Sequence, residues 1–323
     1  MTQRDLMTKF SVSQATVSMA LNNNPAISEK LRRDIQQAAA EMGYRPNLAG
    51  QMLRKGKSNL LGVILPSLYY SFYSELLAEL HIYAQKRGYV IMLEHCESYK
   101  DFTFAMQSME RFNVAGIMAV CAAEWLAERK GREIPFVLLH GNALPDTLKN
   151  KVSQVYPDMY QSGYDLADYL ISSGRKHLLY LGKNNDRESR FCGFSARCAA
   201  AGIMDLPAIP GRENTTEMGY ELAEKILQIF PETDAVAVHN DNMALGVLRY
   251  FWEKRIDVPG RVAVAGFDNI REDTYTTPAL TSIGPDRGCF ARQALDELLM
   301  QIAFPEHHQE IKVRCELKAR ESS

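Results

Sequence analysis

Several signatures that would announce an enzyme are missing from these 323 residues. Neither G-x-G-x-x-G nor G-x-x-x-x-G-K-[ST] occurs, so there is no dinucleotide or triphosphate fingerprint. G-x-S-x-G, the turn that exposes a nucleophilic serine, is absent too. Paired catalytic carboxylates at a recognisable spacing are not found, and no catalytic residue or cofactor is expected. The six cysteines (Cys96, Cys121, Cys192, Cys198, Cys289, Cys315) form no C-x-x-C pair. Most lie in apolar segments and read as buried thiols in a reducing compartment. His307-His308 sits in a polar stretch without Cys or acid at ligand spacing, so it reads as a surface loop and no metal is expected. No apolar h-region precedes the N-terminal basic segment, and no apolar run is long enough to span a bilayer. The expectation is a soluble cytoplasmic protein with no membrane partner.

What is present is uneven. Residues 1–58 carry nine Lys/Arg against four Asp/Glu, a charge of +5, which leaves −7 on the remainder of a chain whose total is −2. A basic head on an acidic body is expected where only the head meets a polyanion.

Within that head, Val12 to Asn22 reads as a helix entered from Ser13, whose hydroxyl can cap it. Val17, Ala20 and Leu21 share one face, and Gln14, Ala15, Ser18, Met19 and Asn22 fall on the others. Thr2 to Lys9 reads as a preceding helix, with a tight turn at Phe10-Ser11-Val12. Ser28 can cap a third helix with the stripe Leu31, Ile35, Ala38, Ala39, Met42, closed by Gly43. The pattern suggests a helix-turn-helix whose second helix would enter a major groove; an ordinary amphipathic helix pair is the plainer alternative. Asn47 can cap a short basic helix, Leu48 to Leu53, weakened by Gly50 and marginal in isolation.

Thr2-x-x-Asp5, Val12-Ser13-x-x-Thr16-Val17-Ser18-x-x-Leu21-Asn22, Ile27-Ser28 and Gly43-Tyr44-x-Pro46-Asn47-x-Ala49 together resemble the head and hinge of the lactose-repressor (LacI/GalR) family of bacterial transcription regulators. The resemblance implies DNA contacts from Gln14, Ala15, Thr16, Ser18, Met19, Asn22, Asn47, Ala49 and Leu53, with Leu53 as the wedge in the minor groove. Three positions depart from the pattern: Gln3 replaces the usual Ile, Ser11 the usual turn Gly, and Met19 a usual basic residue. Ser11 must then avoid positive φ or accept strain. Gln14 suits an adenine edge and Ala15 a thymine methyl, whereas Thr16, Ser18 and Asn22 are better placed for phosphates.

From Leu60 onward, apolar runs alternate with helical patterns: strands at Leu60–Leu65, 89–93, 115–120, 136–140, 177–181, 235–239 and 262–266, with helices between. Two doubly wound α/β units with a cleft at the strand C-terminal ends are expected. Asn240 and Asp268 each end a strand and Arg190 opens a helix, a donor fork and acceptors suited to vicinal hydroxyls. Capping is the expected role of Asp241. Ser173-Gly174-x-x-His177, Arg190-x-x-Gly193-Phe194, Asn240-Asp241-x-Met243-Ala244-x-Gly246 and Gly266-Phe267-Asp268-Asn269 again resemble the LacI/GalR family, whose body is similar to periplasmic sugar-binding proteins. This implies effector contacts from Arg190, Asn240 and Asp268, and from Phe72, Tyr73 and Asn214 at matching positions. Asn214 stands where relatives often carry an aromatic.

The expected fold is α/β: a three-helix helix-turn-helix head (1–45), a hinge helix or linker (46–58) and a two-subdomain periplasmic-binding-protein-like effector domain with doubly wound parallel sheets (59–323). Its N-subdomain spans about 59–155 plus 285–305, its C-subdomain 156–284 plus 306–323. The expected function is a transcriptional repressor that binds a pseudo-palindromic operator in double-stranded DNA as a homodimer, controlled by a sugar or sugar derivative. The alternatives are a non-sugar effector such as a nucleobase, or a sugar-binding receptor without DNA function. Unstacking a base step costs a few kcal/mol and permits a bend with more contact. Leu53→Ala should therefore weaken specific binding and reduce bending in a mobility-shift assay. Affinity for random DNA, set by phosphate attraction, should hardly change. Equal loss of both affinities would argue against the wedge.

Overall fold

The computed structural model describes residues 3–21, 23–44, 58–128, 133–141, 144–182 and 189–323. It divides into a head, Met1–Ser58, and a body, Asn59–Ser323. The expected hinge helix, with Asn47, Ala49 and Leu53, lies outside the described residues, as does Asn22.

Three helices are described in the head: α1 (Gln3–Phe10), α2 (Gln14–Leu21) and α3 (Glu29–Glu41). They close over a core of Leu6, Val17, Ala20, Ile35, Ala38 and Ala39. The Ser13 hydroxyl caps α2, accepting the Thr16 N–H at 3.1 Å. Ser28, expected to cap α3, makes no side-chain capping bond. Its extended backbone stops the helix there, but the hydroxyl stays with solvent.

Two helix ends terminate alike. Gly43 takes φ +62°, and the Tyr44 N–H reaches back to the Ala39 carbonyl at 2.8 Å. Ser11 does the same work at φ +51°, with the Val12 N–H bonded to the Met7 carbonyl at 3.2 Å. Ser11 thus accepts the left-handed conformation rather than avoiding it.

The body contains two six-stranded sheets among the described residues. The first orders β2 (Val90–His95), β1 (Leu60–Leu65), β3 (Gly116–Ala119), β4 (Phe136–Leu138), β5 (Ser153–Pro157) and β11 (Glu310–Val313). The second orders β7 (Ala208–Ile209), β6 (Leu178–Leu181), β8 (Ala235–Val238), β9 (Ala263–Phe267), β10 (Thr281–Pro285) and β12 (Cys315–Lys318). Pairings are parallel except β10 with β12. Each sheet reverses its order beside its first strand, the crevice position for ligands in open α/β sheets.

The continuous apolar runs follow from burial on both faces. On the first sheet, α4 (Ser71–Lys86) and α11 (Arg287–Ala303) share a core that includes Leu76, Leu80, Phe290 and Leu295. Strand β2 is an edge and half exposed.

The final segment differs from the expected division. Residues 306–323 do not belong together: β11 pairs with β5 in the first sheet, and β12 joins the second. Arg314 separates the two strands, so the chain crosses between units there. The two-residue β7 has no periodicity to announce it.

His307 is less of a surface loop than expected, since its Nε2 lies 3.1 Å from an oxygen of the buried Glu297. Cys96, Cys121, Cys198 and Cys315 are buried. Burial pushes the Cys96 thiol up to about 11, which keeps it protonated near neutrality. Among the described residues no helix is long and apolar enough to cross a membrane.

For an L-residue the left-handed region costs roughly 1–2 kcal/mol, partly offset by the extra chain entropy of glycine. Ser11→Gly should therefore stabilise the head by about 0.5–1 kcal/mol. Hydrogen exchange at the Leu6, Val17 and Ile35 amides of the full chain would show slower opening. Unchanged or faster exchange would contradict the strain at Ser11.

Candidate functional site

In the head, burial of Val17 and Ala20 turns Gln14 and Ala15 outward, and both are exposed. Thr16, Ser18 and Met19 are half-buried. The Thr16 hydroxyl lies 2.9 Å from that of Ser13, so it supports the cap. Gln14 donates through Nε2 to Oε1 of Gln3 at 3.1 Å. Gln3, which replaces a family isoleucine, is therefore a partner of Gln14, and sequence periodicity could not pair the starts of two helices. Gln14 keeps one N–H and its carbonyl for a partner.

In the body, the strands of the second sheet end in His239-Asn240 after β8 and in Asp268 after β9. Arg190 opens α8 (Arg190–Ala200). That helix lies close on α7 (Met159–Ser172): a Cβ on Gly193 would meet the Tyr160 carbonyl at 1.8 Å, and one on Gly163 the Arg190 carbonyl at 1.9 Å. Glycine at both positions lets the start of α8 approach the strand ends.

Arg190 donates to Oδ1 of Asp268 and to the His239 carbonyl, each at 2.5 Å. Its guanidinium lies 5.2 Å from the centre of the Phe267 ring. Burial pushes the Asp268 carboxyl up, and Arg190 and Arg287 pull it back. Asp268 also holds φ +104°, a conformation few non-glycine residues take.

The capping expected of Asp241 falls to Asn240. The cap of α10 (Asp241–Glu253) is Asn240, whose Oδ1 accepts the Met243 N–H at 2.9 Å. Its Nδ2 donates to the Asn214 carbonyl at 3.1 Å. Asp241 is fully buried instead and accepts from Ser282 and the Ile270 N–H. Adjacent Asn and Asp before a helix are equivalent as caps by composition, and only the chain's entry angle separates them.

The opposite wall begins at α4. Phe72 meets Tyr73 edge-on at 5.3 Å, and the Arg287 guanidinium stacks on Phe72 at 4.2 Å. Burial pushes the Tyr73 phenol up to about 12, with Asp268 adding to the effect. Arg287 donates to the main-chain carbonyls of Pro285, at 2.8 Å, and Asp268, and lies 3.5 Å from Glu75. Phe72, Tyr73, Arg190 and Asp268 are thus joined, directly or through Arg287. Asn214 reaches the site through Asn240, and its own Oδ1 is buried without a partner among the described residues.

Arg287 and Glu75 were not anticipated. Arg287 follows Pro-Asp at a helix start, where a basic residue has no cap or dipole role to mark it. Hollows of about 330 Å³, around Lys176, Ile203 and Phe230, and of about 380 Å³, around Asp158, Lys312 and Arg314, are lined by other residues.

A small capped reading helix on a basic head, and a body of two sheets with polar groups gathered at their strand ends, define a DNA-binding regulator with a ligand-binding body. Residues 5–47 match the model of bacterial regulatory proteins of the lacI family, and residues 167–323 that of the periplasmic binding protein-like domain. Catabolite control protein A of Priestia megaterium is 29% identical over 289 residues, covering 86% of each chain. The transcriptional repressor CytR of Escherichia coli K12 is 27% identical over 308 residues, 93% of this chain and 89% of its own. The crystal structure of the lac repressor dimer bound to operator and the anti-inducer ONPF superposes with a TM-score of 0.82 at 21% identity, covering 100% of this chain and 98% of the other. The chain thus carries a lacI-family helix-turn-helix domain and a periplasmic binding protein-like domain, and these relatives are DNA-binding transcriptional regulators, not enzymes.

The Arg190 and Asp268 side chains are 11% and 13% exposed, so either alone would be a buried, uncompensated charge. Asp268→Asn should therefore destabilise the body by about 3 kcal/mol, and adding Arg190→Met should recover most of that. Urea denaturation followed through tryptophan fluorescence measures both. A single variant within about 0.5 kcal/mol of the parent would show the pair to be energetically idle.

Proposed function

We propose that the protein is a cytoplasmic repressor that binds a pseudo-palindromic operator as a homodimer and is switched by an uncharged sugar or sugar derivative held between Phe72, Tyr73, Arg190, Asn214, Asn240 and Asp268. The operator reading rests on exposed Gln14 and Ala15, with Thr16 and Ser18 toward phosphates and Met19 unable to donate to guanine. Asn22, Asn47, Ala49 and Leu53 would complete the contact. One helix-turn-helix reads half a palindrome, which favours a dimer. Ile82 on α4 and Val90 on the edge strand β2 are large exposed apolar groups that favour the first unit as its interface.

The observation that carries the effector reading is the internal pairing of both arginines near Asp268. Arg190 is matched by Asp268, and Arg287 by Glu75. Glu213, Glu97 and Glu217 all lie near enough to Tyr70 to raise its phenol after burial does. Such a lining repels phosphate and suits hydroxyls, which can give to the unpaired Asn214 oxygen and to Asp268. A nucleobase is the weaker alternative, because Arg287 already covers one face of Phe72.

The test is a randomised-site selection with the full chain, then a thermal-shift screen of neutral sugars, their phosphates and nucleobases. Gln14→Ala should relax the selected half-site at one position. A neutral sugar at a hundred times its Kd should add about 2.7 kcal/mol of stability. Shifts given by sugar phosphates or nucleobases alone would overturn the effector assignment, and an unchanged consensus for Gln14→Ala the reading assignment.

A further inference from the structure

The 3-10 turn Arg271–Tyr275, between β9 and β10, belongs to the second unit but fastens to the first. Oε1 of Glu272 accepts the Ser71 hydroxyl at 2.9 Å, and the Arg271 N–H donates to Oε1 of Glu75 at 2.9 Å. Ser71 and Glu75 lie one turn apart on α4. These bonds cross from one unit to the other on the same side as Arg287, which touches Glu75 and the Asp268 carbonyl.

The underside of this turn is unusual. Asp273 projects inward with no exposed surface and faces Asp241, also fully buried. Asp241 receives two donors, the Ser282 hydroxyl at 2.8 Å and the Ile270 N–H at 3.2 Å. Neither carboxyl oxygen of Asp273 receives an N–H, nor a hydroxyl, among the described residues. The nearest cation is Arg320, at 3.7 Å, and it is also bonded to the Leu280 carbonyl and to Oδ1 of Asn269. Two facing carboxylates with so few donors cannot both stay ionised in a dry site. One proton between them satisfies both.

We propose that Arg271–Tyr275 is a proton-dependent latch: a proton shared by Asp241 and Asp273 seats the turn, and the seated turn holds the two units of the body together through Ser71 and Glu75. Loss of the proton sets two buried negative charges against each other, with Asp268 and Glu272 adding to the repulsion and Arg320 opposing it. The turn then lifts, and its bonds to α4 go with it. Arg190 and Arg287 also reach Asp241, but each is held by a nearer acid, Asp268 or Glu75, and they offset the repulsion only in part. The latch stands whether or not the cleft takes a sugar, so its failure and that of the effector reading are separately visible.

The pH direction follows from the geometry and agrees with the electrostatics. Burial pushes the Asp273 carboxyl up to about 7, and burial with Asp273 and then Asp268 pushes Asp241 well above the usual range. The pair titrates as a unit. A carboxyl raised on folding contributes stability that is fully present below its unfolded value near 3.8 and is lost as pH rises through its folded value. Asp273 gives up its own proton near 7, and the one it shares with Asp241 is the last to leave, at higher pH. The latch therefore holds through neutrality and weakens as pH rises above it, the folded-to-unfolded ratio falling about tenfold per pH unit until the shared proton is gone.

The experiment is hydrogen exchange by mass spectrometry on the full chain at pH 7 and 9.5, corrected for intrinsic rates, with no added ligand. Peptides spanning 268–281 and 68–76 should both lose protection at pH 9.5, about tenfold or more. Asp273→Asn supplies a permanent donor to Asp241 and should remove that dependence. Ser71→Ala should weaken protection of 68–76 at both pH values and leave the pH dependence of 268–281 in place. Infrared difference spectra of the unmodified chain give a check that needs no variant: a protonated-carboxyl stretch present at pH 7 should fade by pH 9.5. Protection independent of pH, the same loss in Asp273→Asn, or no protonated-carboxyl band at pH 7 would each overturn the latch.

Discussion

The ion pair between Arg190 and Asp268 is the contact on which the middle of the body depends. It ties the start of α8 to the end of β9, and the same guanidinium holds the His239 carbonyl at the end of β8. A largely buried pair costs desolvation on both sides, and such pairs often contribute little net stability. Its value here is positional. Glycine at 163 and 193 brings the helix within reach, positive φ turns Asp268 toward it, and Phe267 supplies a face for the cation. A second pair, Arg287 with Glu75, stands beside it on the other unit. The site is thus a balanced set of charges spanning two sheets, with its remaining capacity in acceptors such as Asn214.

The head solves a different problem. Among the described residues its fully buried core is six small or medium side chains, flanked by partly buried ones such as Phe10, Leu31 and Tyr44, so well-made helix ends matter to so small a module. Ser13 caps the reading helix, and Gly43 and Ser11 close two others in the left-handed conformation. The outward residues Gln14 and Ala15 are placed by what Val17 and Ala20 bury. Gln3 holds the Gln14 amide, which favours a single orientation of a long side chain.

Much of this was legible in the residues. Apolar runs bounded by turn residues located the strands, because strands buried on both faces have no polar side to hide them. The charge asymmetry singled out the head, and residue types at strand ends singled out Arg190 and Asp268. What the sequence left out was pairing between distant segments. Arg287, Glu75 and Gln3 have ordinary neighbours and acquire meaning through residues far along the chain. The cap expected at Asp241 is made by Asn240 because both types can cap, and the division after residue 305 was misplaced because a strand crossing between sheets looks like one strand.

The central claim is that one chain joins a DNA-reading head to a ligand-controlled body. It is tested most directly by measuring operator affinity with and without the sugar that shifts melting, and sugar affinity with and without operator. Linkage requires the two ratios to be equal, and a working switch puts them at about 5–150-fold. Equal ratios in that range are the predicted result. A ratio of one in both directions, with both ligands bound, would contradict the claim.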